Sequence, residues 1–110
     1  MAKKHSEQFV ALVDEAKQRI REMEPEELFE RQRENPELEL VDVREESEYA
    51  EGHIRYARHL SKGTIERDIE EEIPDTDAEI VLYCGGGYRS ALAADNLQKM
   101  GYEHVYSLAG

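Results

Sequence analysis

A thiol, three glycines and an arginine stand together in Cys84-Gly85-Gly86-Gly87-Tyr88-Arg89-Ser90, and Cys84 is the only cysteine in the chain. The apolar run over 79–84 reads as a buried strand and residues 90–100 as a helix, so the thiol falls at the carboxyl end of a strand. That end is the ligand edge of an open α/β sheet. Consecutive glycines let a loop curl with its N–H groups inward, where they join the free donors at the start of the next helix in a pocket for negative charge. The thiolate is the reactive form of cysteine. A helix N-terminus and a nearby arginine lower its pKa from about 8.5 to roughly 3.5–7.5, giving a nucleophile without a histidine base.

Arg89 has the planar fork of donors to hold the thiolate and to grip an incoming anion. Gly85, Gly86, Gly87 and Tyr88 complete the binding loop, and Ser90 has the chemistry of an N-cap that ends the loop and begins the helix. Asp42 and Arg44, at the end of another strand, are placed either to brace this loop or to pair with each other. A lone cysteine ending a buried strand more often packs as a small hydrophobe. A glycine triplet beside it packs nothing and costs chain entropy, which shifts the reading to a backbone-lined site. Phosphate-loop readings fail: there is no G-x-x-x-x-G-K-[ST], and Ser90 stands where G-x-G-x-x-G needs its last glycine. His53 and His59 sit beside predicted turns with no Cys-His spacing that suits a metal, and are read as structural.

At 110 residues and a net charge of −12, the chain makes one domain with a heavily charged surface. The charge argues against nucleic acid and anionic membranes as partners. It is uneven: −3 over residues 1–37, −9 over 38–79 and zero over 80–110. The thiol therefore lies in the neutral third, where an anionic ligand is repelled least. The acidic run over 66–79 reads as a solvated face. With no apolar stretch long enough for a membrane span or a secretory signal, the expected location is cytoplasmic.

Stepping outward from the loop, apolar spacing predicts helices over 6–21 (Ser6 as N-cap), 24–35 and 64–73, and a helical turn over 45–51 closed by Gly52. Strands are predicted over 19–23, 38–43, 57–60, 79–84 and 104–108. Strands alternating with helices imply an α/β sheet with parallel pairing and helices on both faces.

These segments resemble the single-domain type of the rhodanese family. The resemblance is carried by "LVDVREESEYAEGHI" (40–54), "ARHL" (57–60), "IVLYCGGGYRSALAADNLQKMGY" (80–102) and "VYSLAG" (105–110). It implies an open five-stranded parallel sheet, with Cys84 carrying a sulfane sulfur as a persulfide, the backbone of residues 85–89 as its cradle, Arg89 as the substrate anchor, and Asp42 and Arg44 in support. The implied activity is that of a thiosulfate sulfurtransferase, moving sulfur from a small-molecule donor to cyanide or a thiol, a thiol-carrying protein included, without a cofactor or metal. The alternatives are a sulfur carrier or interaction module without turnover, and a cysteine phosphatase or arsenate reductase. Phosphatase loops resemble this one but place five residues between Cys and Arg, where this chain has the four from Gly85 to Tyr88.

Three departures stand out. Arg55-Tyr56 replaces the usual Pro-Gly after "GHI". Gly85 and Gly86 supply no side chain to the loop. The chain stops at "SLAG", where the family adds a closing helix, so either the sequence is truncated there or residues 5–17 supply replacement cover. The expected organisation is an extra N-terminal helix over 1–17, available as replacement cover, and a rhodanese-like domain over 18–110 lacking the C-terminal helix.

Overall fold

Ser6, extended at φ −69° and ψ 152°, accepts a hydrogen bond from Phe9 N at 3.4 Å and starts the first helix, α1 (Glu7–Lys17). The computed structural model describes residues 5–110. Helix α1 ends sooner than the apolar pattern suggests, because the chain turns over residues 18–20 to enter β1 (Arg21–Met23). Pro25 opens α2 (Pro25–Glu34), where its missing N–H costs nothing, and Glu26 and Glu27 sit in the first turn at the positive end of the helix. There follow β2 (Glu39–Asp42), α3 (Glu46–Glu51), β3 (Arg58–His59), α4 (Ile65–Glu72), β4 (Ile80–Tyr83), α5 (Tyr88–Lys99) and β5 (Val105–Leu108).

All five strands form one sheet in the order β1-β5-β4-β2-β3, and every neighbouring pair is parallel. The expected five-stranded α/β architecture is therefore present. Strand alternation divides the core into two layers. Val41, Val43, Ile80, Leu82, Cys84 and Val105 face Ile65 and Ile69 of α4 and Ala93, Ala94 and Leu97 of α5. Leu40, Val81, Tyr83 and Met23 face the other way, where Leu28 of α2 and Ala57 cover them. Because side chains alternate, Cys84 inherits the α5 side from Ile80 and Leu82.

Helix α1 docks on α5. Arg19, just beyond α1, forms a fork with Asp95 of α5 at 2.9 and 2.7 Å, and Gln98 donates to Arg19 O at 3.0 Å. His5 and Phe9 place their rings 4.5 and 5.7 Å from that of Tyr88, the first residue of α5. The turn with Arg55-Tyr56 in place of Pro-Gly forms, at a conformational cost. Tyr56 has φ 69° and, among the described residues, is the one non-glycine in the left-handed region.

No described helix is long and apolar enough to cross a membrane. The acidic run over 66–79 is largely solvated, as expected, with one addition: Asp77, Glu103 and His104, all exposed, bring ligand-capable atoms within 4.8 Å of one another. These residues precede β4 and β5, at the sheet edge opposite Cys84. A cavity of about 780 Å³ opens on that edge, and Glu39, Glu72, Asp75, Asp77 and Glu79 among its lining repel anions.

Candidate active site

Strand β4 delivers Cys84 to the carboxyl edge of the sheet, and the chain turns into α5 through Gly87 at φ 82°. A Cβ on Gly87 would have room, 3.5 Å from Leu108 O, but would sit in a left-handed conformation that side chains disfavour, so glycine is favoured there. This turn starts the helix at Tyr88, two residues ahead of the expected start. Ser90 is consequently not the N-cap. It is the third residue of α5, and Gly87 holds the cap position.

The sulfur performs the capping. Cys84 Sγ accepts from Gly87 N at 3.2 Å and from Ser90 N at 3.4 Å, taking donors that the first turn of the helix cannot use internally. The Ser90 hydroxyl lies 3.5 Å from the sulfur and 2.8 Å from the hydroxyl of Ser107 on β5. Ser90 and Ser107 are both 0% exposed, and Cys84 is 9% exposed. Burial alone pushes the Cys84 thiol up. The Ser90 hydroxyl and the N–H groups of Ser90, Gly86 and Gly87 outweigh it, and the thiol ends below its ordinary value. Such a cup can hold one anionic sulfur without a proton donor.

Arg89 lies beside Cys84, which adds to the rise in its pKa that Glu48 causes, but it does not present a free fork to a ligand. Instead of standing open to an anion, its fork closes on Glu48 of α3, with donors at 2.8 and 3.2 Å. Glu48 also completes a capping box, its side chain accepting from Glu45 N at 3.0 Å. The Arg89 guanidinium, helped by Glu45 N, holds the Glu48 carboxyl down to about 2.

Asp42 and Arg44 take the second of the two arrangements expected of them. Buried Asp42 accepts from Arg44 Nε and Nη2 at 3.1 and 2.8 Å, and Arg44 Nη2 also donates to Gly52 O at 2.6 Å. The pair thus ties β2 to the end of α3, and the Arg44 guanidinium also lies 5.8 Å from the ring of Tyr83, the residue before Cys84. Tyr88 lies beside the loop, its ring 3.9 Å from where a Gly86 Cβ would be, and faces α1.

His53 and His59 serve packing. His53 Nδ1 meets Tyr49 O at 2.9 Å, His59 Nε2 meets Arg44 O at 2.8 Å, and both rings stack on Tyr49.

Ser107 and Glu48 escape a reading of the sequence alone. Ser107 is an ordinary strand residue until the pairing of β4 with β5 sets it across from Leu82. Glu48 looks like one more acid of a charged turn. The period-two alternation of Val105-Tyr106-Ser107-Leu108, which sets Ser107 on the same face as Val105, is the one available signal.

Known proteins similar to this chain point to one family. The family model "Rhodanese-like domain" matches residues 24–110, which leaves α1 outside it. Thiosulfate sulfurtransferase GlpE of Coxiella burnetii is 35% identical over 71 residues, covering 64% of this chain and 64% of that protein. The chain thus spans less than two thirds of that relative's length. Among solved structures, a protein of Rhodopseudomonas palustris described as a "possible tyrosine phosphatase" superposes with a TM-score of 0.79 at 27% identity, covering 100% of this chain and 89% of that one. The polysulfide-sulfur transferase homodimer of Wolinella succinogenes superposes at 0.76 with 27% identity, covering 94% and 77%. The sulfur-cradling loop at the end of β4, the parallel sheet that carries it and the match across 24–110 together place the chain in the rhodanese-like domain family.

Proposed function

We propose that the chain is a sulfurtransferase that carries a sulfane sulfur on Cys84 as a persulfide. The observation that carries this reading is the pair of backbone donors, Gly87 N and Ser90 N, both on the one sulfur. The Cys84 thiolate attacks the outer sulfur of a donor such as thiosulfate. The new S–S bond forms as the old one breaks, sulfite leaves with the bonding pair, and the persulfide anion remains. A thiolate or cyanide then attacks the outer sulfur and returns Cys84 to the thiolate, so charge balances at each step without proton transfer. Fixed N–H dipoles suit this chemistry because they stabilise a localised anion with no reorganisation. The names of the relatives support the same reading, since one is a thiosulfate sulfurtransferase and another a polysulfide-sulfur transferase. In this reading α1 serves as the cover of α5 and steadies Tyr88 beside the loop.

The phosphatase description of the Rhodopseudomonas neighbour favours a second reading. Against it, the ring from Cys84 to Arg89 is one residue short of a phosphatase loop, and the Arg89 fork is taken by Glu48.

Thiocyanate formation from a sulfane donor and cyanide tests the proposal. Parallel double-reciprocal lines and complete loss in Cys84→Ala are expected. Hydrolysis of an aryl phosphate that needs Cys84, with no thiocyanate formed, would instead support the phosphatase.

A further inference from the structure

The charge of the sulfur donor follows from what surrounds the cup. Arg89 is the sole charged side chain in residues 84–90, and both ends of its fork are bound by Glu48. That pair has no net charge at neutral pH. Glu48 cannot easily swing away, because Glu45 N holds it at 3.0 Å. Helix α3 carries Glu46 and Glu51 as well as Glu48, with Glu45 at its cap, and has no base in its last turn. Arg44, the nearest base before α3 in sequence, is engaged by buried Asp42. On the loop itself, Gly85 and Gly86 are exposed and bare, so the hydrogen bonds to the sulfur come from backbone N–H groups and one hydroxyl, and the Arg89 guanidinium, near enough for Cys84 to add to the rise that Glu48 gives its pKa, is the one charged group of the loop beside it. These suit a single anionic sulfur. A second negative charge meets an arginine whose charge Glu48 already offsets.

Resting on the sulfurtransferase reading, we infer that the preferred donor carries a single negative charge, as an organic persulfide or a thiosulfonate does, and that Glu48 determines this preference by neutralising Arg89. With a persulfide donor, the Cys84 thiolate bonds to the terminal sulfur while the donor's S–S bond breaks. The organic thiolate departs with the electron pair, and no oxidant or proton is needed.

Methanethiosulfonate is thiosulfate with one anionic oxygen replaced by methyl, so the two donors separate charge from shape. Rates of Cys84 persulfide formation are measured with both, in the unaltered chain, in Glu48→Gln and in Glu51→Lys. Neutralising Glu48 frees the charge of Arg89, and the thiosulfate rate is expected to rise about tenfold relative to the methanethiosulfonate rate. Glu51→Lys, which leaves the Arg89 contact in place, shifts the ratio the same way by a smaller factor. Added salt speeds thiosulfate more than methanethiosulfonate in the unaltered chain. A donor ratio unchanged in both variants, or moved toward methanethiosulfonate, overturns the inference. If neither donor loads Cys84 in the unaltered chain, the sulfurtransferase reading itself falls, a result distinct from an unchanged ratio.

Discussion

Removing the hydroxyl of Ser107 changes the acidity of Cys84 without touching it. Ser107 lies on β5 and reaches the sulfur only through Ser90, by the 2.8 Å hydroxyl contact and then the 3.5 Å contact to Sγ. When Cys84 is ionised, Ser90 donates to the sulfur and Ser107 donates to Ser90, so the chain of dipoles points at the negative charge. Both serines are 0% exposed, and water does not replace the lost partner. Leaving one buried hydroxyl short of a partner costs about 1–3 kcal/mol. If roughly half of that falls on the ionised form alone, the Cys84 pKa rises by about 0.4–1.1 in Ser107→Ala, at about 1.4 kcal/mol per unit. The assay is the rate of alkylation by iodoacetamide against pH, which follows the thiolate fraction. The midpoint should move up in Ser107→Ala and return in Ser107→Thr, which keeps the hydroxyl on a β-branched residue suited to a strand. A Ser107→Ala profile that overlays the unaltered one refutes the relay, whatever the variant does to overall stability.

The remaining predictions concern the turns and the pH dependence. Gly87→Ala forces a side chain into the left-handed conformation at φ 82°. It should cost about 1–2 kcal/mol in denaturant unfolding and slow alkylation of Cys84, because Gly87 N is one of the sulfur's donors. Tyr56→Gly relieves the strain at φ 69°; Tyr56 is 84% exposed and loses little packing, so a gain of roughly 0.5–1 kcal/mol is expected and a loss would contradict the strain argument. The Cys84 thiol lies below its ordinary value in the folded chain, so its ionisation stabilises the fold fully above the unfolded thiol's pKa, and that stabilisation disappears as pH falls through the lower folded value. The stability difference between the unaltered chain and Cys84→Ala should therefore grow as pH rises through this window. A difference that is flat with pH would count against the thiolate.

The sheet was readable because its signals are local. Apolar runs such as Ile80-Val81-Leu82-Tyr83 are buried on both faces, and nothing else in a chain this acidic produces them. Helix α2 was equally plain, since Pro25, its acidic first turn and the Asn35-Pro36 stop all act within a few residues of each other. The start of α5 was misplaced for an instructive reason. Serine is a better cap than glycine by side chain alone, but the left-handed turn at Gly87 and a sulfur able to accept the donors made the serine's cap unnecessary. What stayed hidden is everything that depends on register across the sheet. The Ser107 hydroxyl, the closure of Arg89 on Glu48 and the docking of α1 through Arg19 and Asp95 join residues 17, 41 and 76 positions apart. No pattern along the chain encodes those distances, whereas the Cys84 loop announces itself because its donors are its own backbone.

The central claim is that Cys84 accepts and holds a sulfane sulfur, and intact-protein mass measurement tests it most directly. After brief treatment with thiosulfate or methanethiosulfonate and removal of the donor, the chain should gain the mass of one sulfur atom, lose it on adding cyanide, and show no gain in Cys84→Ala. An unchanged mass with both donors, while iodoacetamide still alkylates Cys84 readily, would contradict the account, because the thiolate would then be present and reactive yet unable to take sulfur.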